Sequence, residues 1–233
     1  MDDKQLTILV LLDLSAAFDT VDHDILLGRL EKRIGITGTA LKWLKSYLSD
    51  RRQSVVINGV HSNHQQLNCG VPQGSVLGPI LFTIYTSPIG DIVRRHKLCF
   101  HLYADDTQLY LSFHPKTQSS VDSAVAKITA CISEIRKWMA NNKLKLNDDK
   151  TELLVIGRKE ELAKVTLPDI EIGECHVSSS RSARNIGIIQ DTELNMKDQI
   201  NAICRSAYLH LRNNGQVRKY LDRQPTEAIV HVL

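Results

Sequence analysis

The stretch Leu98-Cys99-Phe100-His101-Leu102-Tyr103-Ala104-Asp105-Asp106-Thr107-Gln108-Leu109-Tyr110-Leu111-Ser112-Phe113 sets two adjacent carboxylates between two apolar-alternating runs. Leu98, Phe100 and Leu102 share one parity before the pair, and Leu109, Leu111 and Phe113 share one after it. Alternation of period two on both flanks predicts a β-hairpin with the aspartates at its turn. Neighbouring carboxylates repel and raise each other's pKa. A bound divalent cation would remove that cost, and hard oxygen donors select Mg²⁺ or Mn²⁺ over zinc. A solvated polar turn would use the same residues, because Asp is common in turns.

A further carboxylate favours the cation. Thr7-Ile8-Leu9-Val10-Leu11-Leu12 is a continuous β-favouring apolar run, which predicts a strand buried on both faces. It ends at Asp13, and the chain then turns small and polar at Ser15-Ala16-Ala17. An acid at the end of a central strand, beside an Asp-Asp turn, can complete a three-carboxylate cage. Such cages hold two cations ~3.5–4 Å apart, one at the attacking and one at the leaving oxygen of a phosphoryl transfer. The loop Gly70-Val71-Pro72-Gln73-Gly74-Ser75-Val76-Leu77-Gly78-Pro79 lies between these two segments. Pro72 stiffens it, Gly74 permits close backbone approach to a ligand, and Ser75 can cap the next element. Ile80-Leu81-Phe82-Thr83-Ile84-Tyr85 then reads as a buried helix.

In this order the segments Asp13 to Phe18, Pro72-Gln73-Gly74-Ser75 and Tyr103-Ala104-Asp105-Asp106 resemble the core motifs of reverse transcriptases. The runs Leu12 to His23, Gly70 to Phe82 and His101 to Tyr110 resemble, more narrowly, the polymerase of non-LTR (long interspersed) retrotransposons. The resemblance extends from about residue 7 to about residue 195. It implies an RNA-directed DNA polymerase, a nucleotidyltransferase with an RNA template, a DNA primer and dNTPs as partners. The primer 3′-hydroxyl would attack the α-phosphate of the dNTP with the help of Mg²⁺ or Mn²⁺. By resemblance Asp13 and Asp105 are the metal-bridging carboxylates, Asp106 is the third acid, and the backbone carbonyl of Leu14 is a further ligand. Phe18 would lie beneath the sugar and exclude a 2′-hydroxyl. Pro72, Gln73, Gly74 and Tyr103 would line the nucleotide and template side. Lys150 resembles the lysine that protonates the leaving pyrophosphate or assists closure. Ordinary core packing for Phe18 and a solvated turn for Lys150 are the plainer alternatives.

Composition sets the outer bounds. With 233 residues, 42% of them apolar, the chain can build a packed core, and global disorder is excluded. A net charge of +3, from 29 basic and 26 acidic residues, does not by itself announce a nucleic-acid binder. The basic residues gather locally at Arg51-Arg52, Arg94-Arg95, Lys143 with Lys145, Arg158-Lys159, and Arg212, Arg218, Lys219 and Arg223, all candidate phosphate contacts. Five scattered cysteines without a Cys-x-x-Cys suit a reducing, intracellular setting, nuclear or cytoplasmic, and offer no zinc spacing. No run of 18 apolar residues is present, so no membrane span is expected.

Around the motifs, a helix capped near Asp22 carries Leu26, Leu27, Leu30 and Ile34 and ends at Gly35; a second carries Leu41, Leu44 and Leu48. Ser54 to Ile57 followed by Asn58-Gly59 is a type I′ hairpin signal. Helical structure reaches about Val93 with a break near Pro88. Val121 to Asn141 reads as a long helix with Val125, Ile128, Ile132, Ile135 and Met139 as its core stripe. Strands are expected at Leu153 to Ile156, near Val165 to Ile172 and near Asn185 to Gln190, a flexible loop at Ser178 to Ser182, and a helix from Asp198 interrupted at Pro225.

This order is an α+β layer fold. The resemblance implies the palm of a right-hand polymerase, an antiparallel sheet with helices packed on one face, over residues 1–195, with a partial helical thumb over 196–233. Only twelve residues precede Asp13, so the fingers are expected to be largely missing and synthesis weak. The competing reading is a catalytically inactive palm remnant that at most binds nucleic acid or a protein partner. A nucleotide cyclase-like or DNA-templated palm enzyme is disfavoured by the Pro72-Gln73-Gly74-Ser75 loop and the Tyr103-Ala104-Asp105-Asp106 wording.

Overall fold

The computed structural model describes residues 4–173 and 175–217. The apolar run before Asp13 forms β1 (Leu6–Ser15), the centre of the molecule's main sheet. Its two faces are both used, but unequally. Ile8, Val10, Leu12 and Leu14 enter the main core, while Leu9 and Leu11 join only Leu154 and Ile156 in a small patch.

Helix α1 (His23–Arg29) begins where Asp22 caps it, Oδ1 accepting from the Ile25 N–H at 3.0 Å. It runs on through a π-helical turn, Leu30–Ile34, and stops at Gly35 in the left-handed conformation. Helix α2 (Gly38–Leu48) buries Leu44 and Leu48. Four two-residue strands come next: β2 (Arg52–Gln53), β3 (Val56–Ile57), β4 (Val60–His61) and β5 (Gln65–Gln66), paired as β2–β5 and β3–β4. Asn58 and Gly59 both take positive φ, as the type I′ turn requires. The hairpin forms as expected, yet Val55, Val56, Ile57 and Val60 are all exposed.

The helical stretch after the Gln73-Gly74 loop breaks at Ser87 into α3 (Gly78–Thr86) and α4 (Pro88–Arg95). The hairpin is β6 (Cys99–Tyr103) and β7 (Asp106–Phe113). Helix α5 (Gln118–Asn141) opens with a capping box between Thr117 and Ser120 and buries Ile128, Ile132, Ile135 and Met139. Beyond it lie β8 (Lys145–Ile156), α6 (Lys159–Leu162), β9 (Ile170–Ile172), β10 (Cys175–Val177) and β11 (Ser179–Ser180). The main sheet runs β11-β8-β1-β7-β6. Every pairing is antiparallel except the short β11 edge, which is parallel to β8. Leu26, Phe82, Tyr85, Ile89 and the α5 stripe pack as one cluster with Ile8, Val10, Leu12 and Leu14. This is the α+β architecture read from the sequence, with helices on one face of an antiparallel centre.

Three expectations change in detail. The strand near Val165 to Ile172 shrinks to β9. The Ser178 to Ser182 segment is not a loop, because Ser179 and Ser180 pair with Leu153 and Leu154. The strand near Asn185 to Gln190 is a hairpin, β12 (Ser182–Asn185) and β13 (Ile188–Asp191), turned at Ile186-Gly187, both at positive φ. Helix α7 (Lys197–Val217) comes after it. The Asp191 carboxylate organises its approach, accepting from the Glu193, Asn195 and Met196 N–H groups at 2.7–3.0 Å. The chain divides into two compact units, one ending at Ser180 and the other beginning at Arg181, ahead of the boundary at 195 drawn from sequence. Arg218, Lys219, Arg223 and Pro225 lie outside the described residues.

Candidate active site

The pairing of β1 with β7 runs in step from Leu6↔Phe113 to Leu12↔Thr107. One residue further on these strands stand Asp13 and Asp106. The β6–β7 pairing closes at Tyr103↔Asp106, so Ala104 and Asp105 are the two turn residues. Positive φ falls on Ala104 alone, at +52°, the φ pattern of a type II′ hairpin turn, where Gly is usual. Holding an L-residue there costs roughly 1–2 kcal/mol. Strain of this kind is tolerated where a site needs the geometry, and here the geometry sets Asp105 and Asp106 at the tip of the central hairpin.

The acids sense one another. Burial pushes the Asp106 carboxyl above the ordinary range, and the charges of Asp105 and then Asp13 push it further. The donors are hard oxygens at a place where negative charge is costly, which suits Mg²⁺ or Mn²⁺. Among the described residues, no three His, Cys, Asp or Glu side chains are gathered tightly enough to form a finished cage. The side chains fit the ion by donor type and by the electrostatic cost it would relieve.

Asp13 has further neighbours on β8. Asn147 Nδ2 donates to Asp13 Oδ2 at 3.1 Å, and Lys150 Nζ lies 3.8 Å from the same oxygen. Lys150, read from resemblance alone, is thus brought to Asp13, although its side chain is 70% exposed. Asn147 was missed by sequence reasoning. The signal available was weak: a polar interruption between Leu144-Lys145-Leu146 and Leu153-Leu154.

The Gln73-Gly74 loop is fastened to the turn after Asp13. Gly70 N–H donates to Val21 O and Val71 N–H to Phe18 O, each at 2.8 Å. The Gly70 carbonyl in turn accepts from His23 Nε2 at 2.8 Å and from Arg51 Nη1 at 2.9 Å. A Cβ on Gly70 would lie 2.9 Å from Asp19 O, so this glycine is the one required for close approach. Gly74 has positive φ and nothing within 4 Å of its Cβ position, so its backbone is open to approach. Ser75 Oγ donates to Pro72 O at 2.7 Å and accepts from the N–H of Gly78, the first residue of α3, at 3.0 Å, while the N-cap position itself is Leu77. Gln73 and Gly74 are exposed, and Pro72 is half-buried.

Phe18 is half-buried and packs on Phe82, ring centroids 4.9 Å apart, so core packing accounts for part of its role. Tyr103 is 60% exposed. With Pro79, Ile80, Thr83, Ile84, Leu102 and Ala104 it lines a groove of about 470 Å³ beside the hairpin tip. The basic pair Arg94-Arg95 is engaged by acids, Arg94 by Asp91 at 2.8 Å and Arg95 by Glu134. Arg51 is occupied by Gly70.

A central antiparallel pair with an acid just past its ladder on one strand and two at the facing hairpin tip, backed by helices on one face, is the palm of a nucleic-acid polymerase. The chain belongs to the reverse transcriptase (RNA-dependent DNA polymerase) family, which matches residues 1–193. It is 30% identical over 233 residues to the probable RNA-directed DNA polymerase from transposon BS of Drosophila melanogaster, covering 98% of this chain and 24% of that protein. It is 26% identical over 204 residues to the probable polymerase from transposon X-element, covering 87% of this chain and 21% of that one. For the polymerase from mobile element jockey the identity is 25% over 209 residues, covering 87% and 22%. The chain therefore spans about a quarter of the length of these mobile-element relatives. Among solved structures it resembles apo telomerase of Candida tropicalis, with a TM-score of 0.52 at 15% identity over 82% of this chain and 35% of that one. Telomerase of Candida albicans, in complex with a fragment of telomeric RNA, gives 0.50 at 16% identity over 78% and 31%. These distant likenesses carry the palm fold.

Proposed function

We propose that this chain is the catalytic palm of a retrotransposon RNA-directed DNA polymerase, which extends a DNA primer on an RNA template from dNTPs. The observation that carries this reading is the strand register, which sets Asp13 across from Asp106 just past Leu12↔Thr107, with Asp105 in the adjoining turn. Asp13, Asp105 and Asp106, with the Leu14 carbonyl, would hold Mg²⁺, with Mn²⁺ able to substitute. Bound there, divalent cations supply Lewis acidity to the attacking hydroxyl and to the leaving pyrophosphate. Phe18, held by Phe82, supplies bulk against a 2′-hydroxyl. The exposed Gln73-Gly74 loop beyond Pro72 faces the nucleotide and template, and Tyr103 with its groove offers apolar contact to a nucleic-acid strand. Lys150 would give a proton to the leaving phosphate. Residues 1–195 form the palm in this reading, and the segment from 196 begins the thumb. No helix among the described residues is long and apolar enough to cross a membrane.

Two measurements test the reading together. Mn²⁺ should raise the melting temperature, because it binds only the folded state, and Asp105→Asn should remove that rise. In primer extension with RNA and DNA templates, Asp105→Asn should abolish synthesis and Phe18→Val should admit ribonucleotides. Equal Mn²⁺ responses in wild type and Asp105→Asn would sink the metal site. A Mn²⁺ response without any extension would favour the inactive remnant.

A further inference from the structure

Beside Asp13, β8 leaves its regular pairing with β1. Leu11 pairs with Glu152 and Asp13 with Asn147. Between those anchors β1 has Leu12 alone, while β8 has Asp148, Asp149, Lys150 and Thr151. Extra residues on one strand bend it and re-aim its side chains. This detour is closed on itself, since Thr151 Oγ1 donates to Asn147 O at 3.2 Å and Thr151 is only 6% exposed. It is also tied to α5 by the ion pair of Arg136 with Asp148. The result is that two donors of different kinds meet Asp13 on one oxygen. The Asn147 amide donates to Oδ2 at 3.1 Å, and the Lys150 ammonium stands 3.8 Å from Oδ2.

We infer that Asn147 is a positioning residue for the cation site: it fixes the Asp13 carboxylate so that Oδ1 faces the ion, and the 148–151 detour is the device that holds it there. The inference rests on the reading of Asp13 as a cation ligand. A carboxylate free to turn must be ordered when an ion binds, and a neutral amide orders it in advance without adding competing charge. Hydrogen-bond partners of metal-ligating carboxylates act in this way, and losing one typically weakens metal affinity ~10–100-fold. Lys150 works in the opposite sense. Its positive charge at the same oxygen competes with a cation, although exposure screens the pair.

The test is calorimetric titration of the full chain with Mn²⁺, read alongside the metal-induced rise in melting temperature. Asp13→Asn should lose binding. Asn147→Ala should weaken it ~10–100-fold, Thr151→Val should weaken it less, and Lys150→Gln should tighten it. A residue that merely supports the strand would lower the metal-free melting temperature without moving affinity in opposite directions at 147 and 150. Should Asn147→Ala fail to fold, Asn147→Ser carries the same expectation, because its hydroxyl is too short to reach Asp13 Oδ2. Wild-type affinity in both the Asn147 and Thr151 variants, in a protein whose binding Asp13→Asn removes, overturns the positioning role. Weakening by Lys150→Gln to the same degree overturns it too. No loss in Asp13→Asn overturns instead the ligand reading beneath it.

Discussion

At Asp106 the cost of the site is felt by a single group. Burial and the charges of Asp105 and Asp13 raise its carboxyl pKa in the folded chain above the unfolded value. The sign comes from linkage: a raised pKa means that the folded state holds the proton more tightly. Its contribution to stability is fully present below the ordinary Asp range and is lost as pH rises through the raised value. Asp106→Asn should therefore melt higher than wild type at neutral pH without divalent cation, and the gap should close below about pH 4, where the wild-type carboxyl is protonated in both states. A gap of constant size from acid to neutral pH would show that something other than charge sets it. The three acids were legible in the sequence because their signal is local: an apolar run that stops at Asp13, and an Asp-Asp pair between alternating runs. Asn147 was not, because the group it serves is 134 residues away and no spacing in its own segment points to Asp13.

Elements meet at this site through backbone contacts, and Gly70 is the tightest of them. Its φ of +84° and the 2.9 Å approach to Asp19 O leave no room for a side chain, whereas Gly74, at φ +75°, has nothing within 4 Å. Gly70→Ala should thus cost clearly more than the roughly 1–2 kcal/mol that a left-handed alanine costs by itself, while Gly74→Ala should cost about that much. Urea unfolding of both variants measures the difference, and equal losses would mean that the loop is not clamped to the turn after Asp13. Helices were the most legible elements, because α5 writes its apolar stripe in one continuous segment, although its first turn and Thr117 cap lie ahead of the Val121 start read from sequence. Strands that depend on distant partners were not. The Ser179-Ser180 edge exists only because β8 lies alongside it. The β8 detour likewise has no local signature, since only its pairing with β1 defines it. The Asn58-Gly59 turn was legible, but the exposure of Val55, Val56, Ile57 and Val60 around it was not, because β-branched residues in a hairpin usually have a core beneath them.

Over the whole molecule, stability rests on burial more than on charge. The ion pairs Arg33–Asp91 and Arg94–Asp91 join side chains that are each at least 40% exposed, and such pairs contribute little. Leu6, Ile8 and Val10 of β1 are 0% exposed, and β1 is hydrogen-bonded to strands on both sides. In the unit that begins at Arg181, α7 instead presents Ile200, Ile203, Tyr208, Leu209 and Leu211 with more than half of their surface exposed. Opening free energies inside one protein range from near zero to the global value, and few buried apolar contacts mark the low end. Hydrogen exchange should therefore separate the two units. Amides of Ile8 to Leu12 should exchange only through global unfolding, with rates that rise with urea in parallel with the unfolding curve. Amides of α7 should exchange through local opening, orders of magnitude faster and nearly independent of low urea, because few buried apolar contacts hold the helix. Equal protection of α7 and β1 would mean that the apolar face of α7 is covered in solution, and that the two units open as one.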